Sequence, residues 1–345
     1  MAGGVPALFS AHDRGRADRA AGALYGLAVG DALGMPTQSL PRSAIGARYG
    51  PLLDGFHPGP PDQPVAPGRP AGSVTDDTEQ AVLLGRLLVE SGGRVDPAEW
   101  GRRLLGWEES MRERGSLDLL GPSTRRAVAA LAAGADPVQA GRDGTTNGAA
   151  MRVAPVGIAV ADPDRLLDLV VEVCTPTHGT GVAMAGAAAV AAAVSAGVAG
   201  AAVAEVVPVA VTAARRAAQR GRWVAAADVG ARIDWAFGLV SGLRPEAAID
   251  PISSLVGTGL AAQESVPAAF AVLAVAADDP WLACRLAASL GGDTDTVAAM
   301  AGAVVGACHG LTGLPPDAVA TIERVNDLRL AQLAAALLEL RGPDA

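Results

Sequence analysis

The sequence predicts an all-α protein, and three observations carry that prediction. Half of the 345 residues are apolar but only 3% are aromatic, so the core must be filled by small side chains at close range, as between helices, more than by the rings of a β sandwich. Apolar residues recur at helical spacing in segment after segment, as with Val82, Leu83, Leu84, Leu87 and Leu88. Glycine and proline fall between those segments, where they stop helices. No long linker or low-complexity tract divides the chain. It reads as one domain of a dozen or so helices over 20–340, behind an N-terminal tail, 1–19.

Taken in order, residues 20–34 form a first core helix stopped by Gly34 and Pro36. Residues 51–72 hold seven prolines and several glycines, which excludes helix and central strand and predicts a surface loop. That loop leads into Thr75-Asp76-Asp77-Thr78 as a flap over a site would. The helix after Thr78 closes at Gly92-Gly93. Further helices are predicted at 97–114, 123–133, 165–174, 179–198, 201–219, 223–238, 244–248, 258–276, 280–290, 295–310 and 316–340. Periodicity leaves the Val-rich run 169–173 open between helix and strand.

Charge and cysteine content narrow the function classes. A net charge of -9, with no cluster of Lys and Arg, argues against a nucleic-acid partner, because phosphate binding needs clustered cations. Cys174, Cys284 and Cys308 lie in apolar stretches without CxxC spacing and read as small hydrophobes. The charged residues Asp13 to Arg19 precede a short Ala/Gly segment, the wrong order for a secretory signal, so a cytoplasmic address is expected. Residues 179–204 carry no charge and are long enough to cross a bilayer, but their Ala and Gly content predicts a buried core helix and no membrane partner.

Two short clusters stand out, Thr75-Asp76-Asp77-Thr78 and Asp293-Thr294-Asp295-Thr296, each opening an apolar helix. Helix capping is one reading: Thr75 or Asp76 at the N-cap, with Glu79 completing a capping box. It accounts for one carboxylate and leaves the others. If the clusters meet, Asp76, Asp77, Asp293 and Asp295 place four negative charges together, which two hard divalent cations would neutralise. Oxygen ligands favour Mg2+ or Mn2+, and the lack of paired His and Cys disfavours zinc. Between the clusters, Gly144 to Arg152 offers an Asn amide and small residues suited to phosphate or sugar oxygens, and His178 follows in Thr177-His178-Gly179.

The segments GLAVGDALG (26–34), VTDDT (74–78), TNGAAMRVAPVG (146–157), THG (177–179) and GGDTDTVAAMAGAVVGA (291–307), in this order, resemble the ADP-ribosylglycohydrolase family over about residues 20–330. The resemblance implies an all-α fold with a binuclear Mg2+ or Mn2+ cleft, hydrolysing the bond between ADP-ribose and an acceptor on a protein or a small molecule. It implies Thr75, Asp76, Asp77, Asp293, Asp295 and Thr296 as metal ligands, and Gln38, Asn147, Gly148, Met151 and His178 as substrate lining. Asp118 matches a family aspartate near the scissile ribose, and Asp76, Asp293 or Asp118 would accept the proton of the attacking water. At Gln38 the chain departs from the family, which commonly has a glutamate there, and glutamine can neither act as a base nor offset a cation. Tyr25, Phe56, Trp107, Trp235 and Phe237 are the candidates for stacking an adenine. Two other functions stay open: a binding protein for ADP-ribose or a nucleotide with weak hydrolysis or none, and a metal phosphohydrolase.

Overall fold

A computed structural model describes residues 11–115 and 120–341, and in these the fold is helical throughout. Its elements are α1 (Ala11–Gly34), α2 (Arg42–Tyr49), α3 (Asp76–Glu90), α4 (Pro97–Glu113), α5 (Pro122–Ala132), α6 (Pro137–Gly141), α7 (Gly148–Met151), α8 (Ala154–Ala159) and α9 (Pro163–Cys174). There follow α10 (Gly181–Ala199), α11 (Val203–Ala218), α12 (Val229–Val240), α13 (Pro245–Pro251), α14 (Ala262–Val275), α15 (Pro280–Ala288), α16 (Thr294–His309), α17 (Pro316–Asn326) and α18 (Leu330–Arg341). Among the described residues β pairing is limited to three isolated bridges, and the Val-rich run 169–173 is helix.

Many starts have a local cause. Asp96-Pro97, Asp136-Pro137, Asp162-Pro163 and Asp279-Pro280 each begin a helix, the aspartate accepting from a backbone N–H of the first turn and the proline sitting where no N–H is needed. Asp228 caps α12 in the same way, which moves its start past the expected 223. The first helix covers Ala11–Gly34, so residues 11–19, assigned to a tail, are continuous with the core helix. The helix expected over 316–340 is two helices, because Asp327 and Arg329 take left-handed backbone conformations between α17 and α18. That break has a use: the Asn326 amide donates to the carbonyl of Gly72 and accepts from the N–H of Val74, tying down the chain just before Thr75.

Two contacts organise the rest. The helix α10, apolar on every side, runs through the middle against α7, α8, α9, α11 and α16. It is the one described helix long and apolar enough to cross a membrane, and 89% of that stretch is buried inside the protein. The second contact is between α1 and α16. Gly22, Gly26, Gly30 and Gly34 recur every four residues along one face of α1, and a Cβ on any of them would collide with backbone atoms of α16 or of Gly310 just beyond it. Gly302 and Gly306 answer from the other side, where a Cβ would strike the carbonyls of Gly26 and Gly22. The two backbones therefore touch along their length, and the C-terminus of α1 is delivered to the N-terminus of α16.

The Pro-rich loop is held down. Gln63, buried within it, donates from Nε2 to the carbonyls of Met35 (3.3 Å) and Gln38 (3.0 Å) and accepts from the N–H groups of Val65 and Ala66. A small apolar cluster of Met35, Ala66, Trp107, Met111 and Leu120 lies under it. The thiols of Cys174, Cys284 and Cys308 are pushed up to about 12 by burial, as expected of packing residues.

Two alanine substitutions check the helix contact. Gly26→Ala should lower stability by about 1–3 kcal/mol, because its methyl overlaps the Gly302 carbonyl. In α2, Gly46→Ala meets only the Arg42 side chain at 3.5 Å and should stabilise by about 0.5–1 kcal/mol. Equal thermal melts of the two variants would contradict the close approach.

Candidate metal centre and substrate cavity

The two acidic clusters come together because the helices that carry them do. Thr75 caps α3, its hydroxyl facing the N–H of Asp77 at 3.4 Å, so Asp76 and Asp77 occupy the first turn, where the helix dipole favours negative charge. Glu79 completes no capping box: it accepts from the Trp107 indole at 2.9 Å and pairs with Arg114. At α16 the N-terminal residue Asp293 makes no capping bond with its side chain. Its Oδ2 accepts instead from the amide of Asn147 at 2.5 Å, and Asn147 also reaches Ser265 at 3.0 Å.

Asp31, on the last turn of α1, sets the position of the first cluster. It is fully buried and accepts from the N–H of Thr75 at 3.0 and 2.9 Å, the N–H of Thr78 at 3.1 Å and the hydroxyl of Thr78. One carboxylate thus satisfies two of the backbone donors at the start of α3. On the other side of the junction, Thr37 bonds Gly34, Ala288 and the hydroxyl of Thr294, and Leu40 pairs with Gly292, which fixes the approach to Asp293.

A cavity of about 180 Å3 opens where these elements meet. Gln38, Asp76, Asn147, Gly148, Met151, Asp293, Asp295 and Thr296 line it, with Ser39, Thr124 and Thr146 adding hydroxyls and Val65, Leu120 and Leu260 an apolar flank. Thr75 and Asp77 lie behind the lining, buried. His178, expected in the lining, stands behind it: the ring is fully buried, with Nδ1 2.7 Å from the Thr177 hydroxyl and Nε2 3.0 Å from that of Thr146. Asp118 lies outside the described residues.

None of the five aromatic candidates for adenine lines this cavity. Tyr25 bonds Glu323, Phe56 packs edge-on against Trp281, Trp107 bonds Glu79, Trp235 stacks with Arg232, and Phe237 packs against the core. The sequence reading passed over Asp31, Gln80, Thr146, Arg152 and Ser265 as site residues. Asp31 carried a signal, a lone carboxylate inside an apolar helix, and Arg152 likewise, a cation in an apolar run.

The electrostatics are those of negative charges crowded in a dry place. Burial first, and then the charges of neighbouring aspartates, hold Asp76, Asp77 and Asp295 well above the usual carboxylate range. Burial also raises Asp293, opposed by the bond from Asn147, and pushes Asp31 up to about 6 against the bonds from Thr78 and Thr75. Among the described residues no three His, Cys, Asp or Glu side chains close into a metal cage. Three of the aspartates turn an oxygen to a neutral partner: Asp76 to Gln80, Asp77 to Thr75 and Asp293 to Asn147.

The donor set nevertheless fits hard divalent cations. Asp77 Oδ1 and Asp295 Oδ1 are buried with no hydrogen-bond partner, which is costly for a carboxylate unless a cation takes the lone pairs. The polar side chains lining the cavity are carboxylates, hydroxyls and amides, the ligand chemistry of Mg2+ or Mn2+.

Comparison with known proteins bears on the fold and the family. A family profile described as ADP-ribosylglycohydrolase matches residues 12–345. An uncharacterised protein of Escherichia coli, YegU, is 37% identical over 329 residues, 94% of this chain and 98% of its own length. The ADP-ribosyl-[dinitrogen reductase] glycohydrolase of Rhodospirillum rubrum is 26% identical over 95% of this chain and 98% of its own. A solved structure described as an ADP-ribosylglycohydrolase-related protein complex superposes with a TM-score of 0.70 at 28% identity, covering 95% of this chain and 99% of its own.

The carboxyl shifts predict how stability depends on pH. A carboxyl with a higher pKa folded than unfolded stabilises the fold while protonated; the contribution is full below the unfolded value and lost as pH rises through the folded one. Asp31, raised from 3.8 to about 6 by burial, is one such carboxyl. Chelator-treated protein should therefore melt at falling temperature as pH rises from about 4 to beyond about 6, with Mg2+ restoring the loss at the upper end. A melting temperature that climbs over that interval without metal would contradict the buried cluster.

Proposed function

The chain belongs to the ADP-ribosylglycohydrolase family, and on that premise we propose that it is a divalent-cation-dependent hydrolase of the ribosyl bond in an ADP-ribosylated protein side chain or small ribosylated molecule. The observation that carries the reading is the convergence of two acidic helix N-termini on one polar cavity, with two buried carboxylate oxygens unmatched. Thr75, Asp76, Asp77, Asp293, Asp295 and Thr296 would hold two Mg2+ or Mn2+ ions. Bound there, the cations would offset the carboxylate charge and polarise oxygen ligands.

The protein's own groups divide the remaining work. Cleavage of a ribosyl bond develops positive charge at C1, and the aspartates on the cavity wall face that charge with little reorganisation. Asp76 and Asp293 both reach the cavity, and burial raises the proton affinity of each, which suits a base that takes a proton from water. Each is held by one amide, Gln80 or Asn147, so its orientation is fixed. Hydroxyls of Ser39, Thr124 and Thr146 match a ribose, and Val65, Leu120 and Leu260 offer apolar cover to a base in place of an aromatic ring.

Gln38 marks where this chain differs from the family pattern. It lines the cavity, and its amide donates weakly to the carbonyl of Met35 at 3.3 Å, so a neutral side chain occupies a position beside the acidic cluster. That favours an acceptor other than a standard modified protein side chain, a small ribosylated molecule among them.

The test is release of ADP-ribose from ADP-ribosylated arginine and serine, or of ribose from small ribosides, by purified protein with Mg2+. Asp293→Ala and Asp77→Ala should each lower turnover by at least about 100-fold with helical content retained. Gln38→Glu should gain activity on the modified amino acids. Full activity of either aspartate variant would overturn the assignment; binding without turnover would make the protein a binder, and phosphate as the only product a phosphohydrolase.

A further inference from the structure

One buried cation lies behind the cavity. Arg152 is fully buried, its guanidinium 5.3 Å from the centre of the Trp100 ring, and desolvation lowers it to about 10, so it stays charged at neutral pH. Its Nη1 donates to Gln80 Oε1 at 2.5 Å, and the amide of Gln80 donates onward to Asp76 Oδ2 at 3.1 Å. Its Nη2 donates to the hydroxyl of Thr177 at 2.6 Å, which lies 2.7 Å from His178 Nδ1, while His178 Nε2 lies 3.0 Å from the hydroxyl of Thr146. The chain of contacts therefore runs from a fixed cation to the cavity wall.

The direction of every bond follows from the cation. Arg152 can only donate, so the Thr177 oxygen accepts there. Among the described residues the one other hydrogen-bond partner of that hydroxyl is His178 Nδ1, and a buried hydroxyl proton left without an acceptor would be costly, so Thr177 donates to Nδ1. The ring then carries its proton on Nε2, and it is neutral because burial and the charge of Arg152 disfavour imidazolium. Nε2–H donates to Thr146, whose own hydroxyl proton is left to point into the cavity that Thr146 lines. Gly148 leaves room for this arrangement: a Cβ there would come within 2.9 Å of His178 Cε1.

We propose that Arg152, acting through Thr177 and His178, is a positioning residue that fixes Thr146 as a hydrogen-bond donor to an oxygen of the bound ADP-ribosyl group. The same guanidinium, acting through Gln80, orients Asp76. His178 is then neither acid nor base in the reaction; it transmits a polarity. Identifying the ligand rests on the functional reading above, whereas the direction of the bonds does not.

Two measurements separate these layers. In ligand-free protein, nitrogen-15 NMR of the imidazoles, assigned with a His178→Gln control, should report the neutral Nε2–H form for His178. Thr177→Val, which touches nothing in the cavity, should let that preference go. In calorimetric titration with ADP-ribose, Thr146→Ser should bind like the wild type, and Thr146→Val about tenfold more weakly. An Nδ1–H tautomer, or unchanged binding by Thr146→Val, overturns the proposal while leaving hydrolysis possible. No binding of ADP-ribose to the wild type overturns the functional reading and the ligand contact with it, and the tautomer still decides the direction of the chain.

Discussion

The close approach of α1 and α16 is the constraint on which the site depends. Four glycines spaced by four residues let the backbones of these helices meet with no side chain between them, and α16 replies with Gly302 and Gly306. The result at the far end is chemical. Gly34 lies against the backbone of Thr294 and Asp295, Asp31 reaches the start of α3, and the loop after α1 brings Gln38 to the same cavity. Both acidic clusters are thus referred to one helix, and a shift of α1 along α16 would separate them.

The cluster that results is unfavourable without a counter-charge. Four aspartates share a buried space with Asp31, and their proton affinities rise first because burial penalises the ionised form and then, at Asp76, Asp77 and Asp295, because ionised neighbours oppose it. The fold compensates by fixed dipoles: the N-terminus of α3, the amides of Gln80 and Asn147, and the hydroxyls of Thr75 and Thr78. The guanidinium of Arg152 adds a full charge at one remove. Two carboxylate oxygens still lack a partner, and the sites most in need of a cation are those that family resemblance assigns to one.

Much of the fold was legible in the sequence because its signals are local. Helical periodicity with Gly and Pro at the ends located most of the longer helices, and α10 could be read as a core helix from its Ala and Gly content. Of the short elements α13 was placed, at 244–248, but α2, α6, α7 and α8 were not: they have at most eight residues, too few turns for a period to show. The break after Asn326 was missed because left-handed turns at Asp and Arg leave no glycine behind. At the site, Asp76, Asp293 and Asn147 stood out by composition and spacing, whereas the parts of Asp31, His178 and Arg152 depend on partners tens of residues away. His178 shows the limit most clearly, since a histidine beside glycine and threonine reads as a ligand contact, whereas in the fold its buried ring bonds the hydroxyls of Thr177 and Thr146.

The central claim is that α3 and α16 supply halves of one two-cation centre. Electron paramagnetic resonance of chelator-stripped protein titrated with Mn2+ tests it directly, because two manganese ions held by the same carboxylates couple their spins. The account predicts a coupled spectrum at two ions per chain, lost on Asp77→Ala in α3 and equally on Asp295→Ala in α16. Isolated, uncoupled Mn2+ in the wild type, or coupling that survives either substitution, would contradict it.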